Sequence, residues 1–301
     1  MSNPELYEKL IIVSDPLILT FAMMPPERER ESQNRTTKGN AVRMPNFVPD
    51  SSVVSNVTPS PNYGDRKGVL SPNMIVLHYT GMADAASAIV RLCTTGTEVS
   101  AHYVVLEDGN IVQCVREADR AWHAGASAWG GETDVNSLSI GIEIVNPGHD
   151  LGYTDFPLRQ TAAVIALCKG IMIRRDIPRH RVLGHSDVAP GRKKDPGEKF
   201  PWRLLPDSGV GLWVEPAPIV RGVQTMLGQS GDDVLALQKL LARFGYGVPQ
   251  NGLYDAATMD VVAAFQRHFR PDRIDGIADT STLTTLNDLL AVMPKEEALT
   301  S

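Results

Sequence analysis

Residues 74–79 read Met-Ile-Val-Leu-His-Tyr (MIVLHY), and residues 139–145 read Ser-Ile-Gly-Ile-Glu-Ile-Val (SIGIEIV). The first is a short, apolar, β-branched run and predicts a buried strand; the second predicts another. Between them, residues 101–106 and 111–115 are β-runs joined by Glu-Asp-Gly-Asn, and Asp-Gly in that setting predicts a hairpin. Ala85, Ala88, Ile89 and Leu92 recur at helical spacing, so 84–94 reads as an amphipathic helix closed by Gly96. Residues 159–175 predict a long helix packed on the sheet, and 182–185 a last short strand followed by a Gly/Pro/Lys loop. Strands mixed with helices predict an α/β or α+β layered domain over about 70–205.

Outward from this domain the composition changes. Residues 25–69 are rich in Pro, Ser, Asn and charge without apolar periodicity, so 1–70 reads as an irregular N-terminal arm. Within it, residues 10–24 (LIIVSDPLILTFAMM) resemble the apolar part of a signal peptide, but Asp15 and Pro16 interrupt the run and two Glu against one Lys precede it. That is a poor export signal. Residues 206–222 carry three Pro and three Gly and read as a linker. From 223 to 293, three helical patterns predict a small all-α unit, within the size that folds alone. Two of its segments, NGLYDAATMDVVAAFQ (251–266) and DGIADTSTLTTLNDLL (275–290), share one frame, a loop–helix unit used twice.

The length of 301 residues suggests about two domains. The net charge is −6, with no Lys/Arg-rich block, so nothing marks a nucleic-acid surface. No run of 18 apolar residues occurs, which excludes an evident transmembrane helix. Cys93, Cys114 and Cys168 each lie in an apolar run, away from metal-binding spacings, and read as small buried hydrophobes.

Three segments place metal-competent or acid–base side chains in or just after a strand: His78, Glu143, and the loop LGHSDVAPGRKKDPG with His185, Lys193 and Asp195. Two imidazoles and a carboxylate leave a tetrahedral Zn²⁺ one open position, the arrangement of a catalytic site. Water there has its pKa lowered to about 7. Glu143 suits a proton carrier that is not a ligand, and a cation such as Lys193 suits an oxyanion. A lone strand histidine is more often structural, so the residues alone support only a hydrolase with a candidate His/His/Asp site. HExxH and GxSxG are absent.

The ordered segments IVLHYTG, SAHYVVLEDGNIVQCV, AWHAGASAW, SIGIEIVNPG and GHSDVAPGRKKDPGEKFPW resemble the N-acetylmuramoyl-L-alanine amidases of the type 2 amidase family over about 72–205. The resemblance implies a mixed central sheet flanked by helices and one Zn²⁺ held by His78, His185 and Asp195. It implies Glu143 as the catalytic acid–base and, by spacing, Lys193 rather than Lys194 as the catalytic lysine. It implies cleavage of the amide between N-acetylmuramic acid, or its 1,6-anhydro form, and L-alanine. Residues 223–293 resemble the three-helix peptidoglycan-binding domain, so the expected partner is peptidoglycan or a muropeptide.

His102 and His123 lie in segments of the kind that line the family's substrate groove, and Asn146 lies just past the Glu143 strand; all three are candidate substrate contacts, against structural roles for the histidines. Trp122 and Trp129 suit sugar stacking or ordinary packing. His149, His180 and His268 read as ordinary surface or loop residues, and Arg174 and Arg175 as charges complementing a helix C-terminus. The alternatives are a non-catalytic recognition protein on the same fold, a zinc peptidase, or a glycosidase, which needs paired carboxylates across the sugar. The binding module argues for the cell envelope, with a cytosolic recycling enzyme as the alternative; no feature specifies an oligomeric state.

Overall fold

The structure is a computed structural model that describes residues 47–294. The apolar stretch 10–24 and most of the expected arm lie outside the described residues. Six strands form the central sheet in the order β1 (Asn56–Val57), β5 (Ile111–Gln113), β4 (Tyr103–Val105), β7 (Ser139–Ile144), β3 (Met74–Tyr79) and β8 (Val182–Gly184). All neighbours are parallel except β4 and β5, the predicted hairpin. The sheet is therefore mixed, as the resemblance implies.

Alternation along β3 and β7 explains how the sheet is covered. Ile75 and Leu77, with Ile140, Ile142 and Ile144, bury against Val164, Leu167, Cys168 and Ile171 of α3 (Leu158–Arg175). Met74 and Val76 point the other way, and His78 is next in that row. The register sets His78 beside Glu143 and Glu143 beside Val104. Both chemical side chains thus share the sheet face that α3 leaves uncovered. At the edge of this region, α1 (Ala85–Cys93) starts at Asp84, whose carboxylate accepts the Ser87 N–H at 2.7 Å.

Residues 47–70, expected to be irregular, are bound to the sheet. Strand β1 extends its edge, and β2 (Tyr63–Gly64) pairs antiparallel with β6 (Arg120–Ala121). Arg66 donates to the carbonyls of Glu117, Ser137 and Ser139; burial, and then the nearby Arg175, lower its pKa to about 10. Two-residue strands contain no alternation to read, and backbone pairing with an existing sheet edge sets their place. Arg174 and Arg175 are structural, but their partner is an ion: both end on the fully buried Glu117, at 2.6 and 2.7 Å. Burial alone would raise the Glu117 pKa; Arg174, Tyr103 and Arg175 together bring it below the usual value.

The C-terminal region forms three helices, α5 (Asp232–Phe244), α6 (Ala256–Phe269) and α7 (Thr280–Val292), beside a small pair of strands, β9 (Gln224–Thr225) and β10 (Ala278–Asp279). The repeated frame becomes a repeated set of hydrogen bonds. Asp255 accepts the Thr258 N–H at 2.9 Å, and Asp279 accepts the Thr282 N–H at 2.8 Å. Gln238 and Gln266 each donate to a loop carbonyl, of Leu253 and Ile277, and accept two loop N–H groups.

The segment expected as a linker is strapped down. Val210 is buried in the core beneath α3, Trp213 packs against both main apolar clusters, and Arg179 donates to the Gly211 carbonyl at 3.1 Å. Its few apolar anchors outweigh its Gly and Pro content. One apolar cluster runs from Met74, Val76 and Val188 into Leu241, Phe244 and Phe265 of the helical module. His268, expected at the surface, is buried between the Trp202 and Phe269 rings and pairs with Asp187 at 2.7 Å.

Candidate metal centre and active-site cleft

His78 ends the buried part of β3, and His185 opens α4 (His185–Val188) directly after β8. The following loop returns Asp195 to the same point, its carbonyl accepting the Ser186 N–H at 2.9 Å. Three donor atoms meet there. His78 Nδ1 lies 2.9 Å from His185 Nδ1, and each lies 3.0 Å from Asp195 Oδ2. All three residues are buried, and among the described residues they form a cluster able to hold a metal ion.

The charge states suit a cation. Burial, and then the neighbouring His185, lower the His78 pKa to about 4 against the pull of Asp195, so its ring is neutral at pH 7. Burial would raise the Asp195 pKa, but His185 and His78 reverse this and hold it far below the ordinary carboxylate range. A neutral imidazole and an ionised carboxylate are the forms that ligate. Two imidazoles with one carboxylate fit a tetrahedral divalent ion that keeps one position open.

The Ala-Trp-His-Ala-Gly segment (121–125) forms the outer layer of this centre. His78 Nε2 faces His123 Nδ1 at 3.0 Å, and His185 Nε2 faces the Ala124 carbonyl at 3.0 Å. With both Nδ1 atoms turned to the donor cluster, Nε2 is the nitrogen that would carry the proton and donate it outward once Nδ1 ligates an ion. His123 then accepts at Nδ1 and donates from Nε2 to Ser139 Oγ at 3.2 Å, whose hydroxyl donates to the Val135 carbonyl. Asn136, on the short helix α2 (Val135–Leu138), anchors the segment, its Oδ1 accepting the His123 and Ala124 N–H groups at 3.0 and 2.8 Å. Gly141 makes the arrangement possible, because a Cβ there would lie 2.4 Å from the His123 ring.

A cleft of about 650 Å³ opens onto the cluster, lined among others by Tyr79, Arg91, Trp122, His123, Glu143 and Lys193. Glu143 is partly buried, with Oε2 shielded and lacking a hydrogen-bond partner. Burial, and then the charge of Asp195, push its pKa well above the ordinary range, while Lys193 pulls it down. The charge of Lys193 also acts on His78. Lys194 lines the cleft as well.

Two expected substrate contacts lie elsewhere. His102 is fully buried; Nδ1 accepts the Gly141 N–H at 2.9 Å, and Nε2 meets the Asp119 carbonyl and Arg66. Asn146 is buried, its amide donating to the Thr154 carbonyl and accepting the Gly148 N–H. Both side chains are engaged in joining strands to loops, and neither lines the cleft. His123 does line the cleft, but both ring nitrogens are engaged within the protein. Trp129 is buried against Phe244 and Tyr246, a packing role, while Trp122 faces the cleft. His149, read as an ordinary loop residue, lines the rim, stacked on Tyr153 and bonded to Tyr79 and Glu198. Asn136, Ser139 and Asp187 carry no motif of their own, and only their contacts reveal them.

Residues 68–198 match the N-acetylmuramoyl-L-alanine amidase family, and residues 230–286 match the peptidoglycan binding domain family. The chain is 37% identical over 229 residues to the N-acetylmuramoyl-L-alanine amidase AmiD of Escherichia coli (strain K12), covering 72% of this chain and 82% of that protein. It is similar in structure to AmiD from E. coli in complex with anhydro-N-acetylmuramic acid-L-Ala-D-γ-Glu-L-Lys, with a TM-score of 0.63 and 33% identity over 76% of this chain and 97% of the other. AmpDh3 from Pseudomonas aeruginosa in complex with an anhydromuramic pentapeptide matches with a TM-score of 0.62 and 32% identity, covering 78% and 96%.

Proposed function

Because the chain belongs to the N-acetylmuramoyl-L-alanine amidase family, we propose that it hydrolyses the amide between N-acetylmuramic acid, in its ordinary or 1,6-anhydro form, and L-alanine. The observation that carries this reading is the convergence of His78 Nδ1, His185 Nδ1 and Asp195 Oδ2 within 3.0 Å on the floor of the cleft. These residues would hold Zn²⁺, one per catalytic domain. Bound there, the ion supplies Lewis-acid chemistry, polarising a carbonyl and acidifying water.

The chain's own residues carry the protons and charges. Glu143, in the row next to His78, takes a proton from the attacking water and delivers it to the L-alanine nitrogen as the C–N bond breaks. Its high intrinsic pKa suits the second half of that task. Lys193 and a dication at the adjoining donors both favour the ionised form needed for the first. Lys193 also offers a fixed positive charge for the oxygen that becomes negative. His123, Ala124 and Ser139 fix which nitrogen of each imidazole is free to ligate. The helical module supports binding to peptidoglycan strands and therefore action at the cell envelope. Among the described residues, no helix is long and apolar enough to cross a membrane.

The test is a product assay on muropeptides. Chelation abolishes release of peptides with a new L-alanine amino terminus, and zinc restores it. New reducing ends in place of new amino termini would mean a glycosidase. Zinc-independent binding without any cleavage would favour the non-catalytic recognition reading.

A further inference from the structure

The helical module touches the catalytic domain at the segments that build the candidate metal centre. Asp187 lies two residues after His185 on α4 and is fully buried. Its Oδ2 accepts the Gly184 N–H at 2.7 Å, so it clamps the residue immediately before His185. Its other two hydrogen-bond partners come from the helical module. Tyr246 donates its hydroxyl to Oδ1 at 2.7 Å, and His268 Nδ1 meets Oδ2 at 2.7 Å. A buried carboxylate is costly unless it is hydrogen-bonded and paired; two of the three partners of Asp187 come from beyond residue 222.

The outer layer of the centre rests on the same support. Trp129, four residues past Gly125, packs edge-on against Phe244 and Tyr246, and the Gly130 N–H donates to the Gly245 carbonyl at 2.7 Å. The Ala128 N–H donates to the Val188 carbonyl at 2.8 Å, tying that loop to α4. On the far side of the ligand loop, Asp260 of α6 sits so close to Gly191 that a Cβ there would lie 2.2 Å from its carboxylate. The module therefore bears on the segment carrying His185, Lys193 and Asp195 and on the segment carrying His123 and Ala124.

We propose that the helical module buttresses the catalytic site from behind as well as binding wall material, with Tyr246 and His268 acting as positioning residues that hold His185 through Asp187. The proposal rests on the zinc amidase reading. Ligand geometry is sensitive to such outer contacts, whose loss commonly weakens a metal site by about 10- to 100-fold. A module joined only as a tether would leave the metal centre indifferent to these residues.

The experiment uses the full-length chain and its Tyr246→Phe, His268→Gln and Asp187→Asn variants. Zinc affinity of the metal-free proteins is measured by chelator competition, turnover on a soluble muropeptide, and retention on insoluble peptidoglycan. The expected result is a zinc affinity lowered about tenfold in Tyr246→Phe and His268→Gln, with kcat reduced and KM on the soluble substrate unchanged. The Tyr246→Phe/Asp187→Asn double variant should be no worse than Asp187→Asn, because both act through one contact. Tyr246→Phe keeps the ring packed on Trp129, and thermal unfolding of each metal-free protein separates misfolding from repositioning. Folded variants with parental zinc affinity and kcat that lose only retention on peptidoglycan would overturn the proposal and leave a tether. A parent chain that binds no zinc and cleaves no muropeptide would instead overturn the amidase reading beneath it.

Discussion

Replacing Glu143 with Gln separates chemistry from stability at one position. The side chain keeps its shape, and Oε2 loses no hydrogen bond, because it has none. A positioned acid–base is worth about 10²- to 10⁴-fold in rate, or about 2.7–5.5 kcal/mol of barrier, so kcat should fall by at least 100-fold. Zinc content should not change, since Glu143 lies outside the donor cluster. Stability should move the other way. Burial, and then Asp195, raise the Glu143 pKa on folding, so the folded chain holds that proton more tightly than the unfolded one. Above the ordinary carboxylate range the ionised side chain costs stability, and that cost is absent where both states are protonated. Metal-free Glu143→Gln should therefore melt at or above the parent at pH 7, with the gap closing as pH falls toward about 4. The assays are single-turnover hydrolysis of a soluble muropeptide, metal analysis and calorimetry of the metal-free proteins. Turnover within about fivefold of the parent would refute Glu143 as the proton carrier, and a lower melting point at pH 7 would refute the electrostatic account.

His123→Phe removes the acceptor of the His78 Nε2 proton while filling the space over Gly141; zinc affinity should fall about 10- to 100-fold, and a parental value in chelator competition would show that the His123 contact is idle. Burial, and then Arg66, lower the His102 pKa to about 3, against about 6.5 in the unfolded chain. Between those values the unfolded state binds the extra proton, so this contribution is complete above about pH 6.5 and is lost as pH falls toward 3. Urea titrations of the metal-free protein should show that slope, shallower in His102→Asn by up to one proton; an unchanged slope would contradict it.

Much of the catalytic half is legible in one dimension because its signals are local. The apolar run at 74–79, the Asp-Gly turn at 108–109 and the helix at 158–175 each follow from spacing within a few residues. His78, Glu143 and His185 stand out because each interrupts or follows an apolar run, and Asp195 because a Gly/Pro-rich loop joins it to His185. Gln238 and Gln266 illustrate the limit: the repeated frame is visible, but only the folded loops reveal that both amides clasp the turn that follows them.

His102 and His268 look alike as isolated polar residues in the sequence, and whether such a residue faces a cleft or a core depends on segments distant in the chain. For His268 that distance is 81 residues, to Asp187; for His102 it is 39, to Gly141. The two-residue strands at 56–57 and 63–64 are set by the backbone edges they meet rather than by their own side chains. The amino-acid sequence by itself thus carried the family resemblance, the layered catalytic fold and the candidate His/His/Asp set, because strand periodicity and motif spacing are short-range properties of the chain. Tertiary structure alone decided which nitrogen of each histidine faces the centre, and that the helical module shares a core with the domain it follows. Those depend on where a proton can be donated and what apolar surface remains to be covered, and neither exists until the chain has folded.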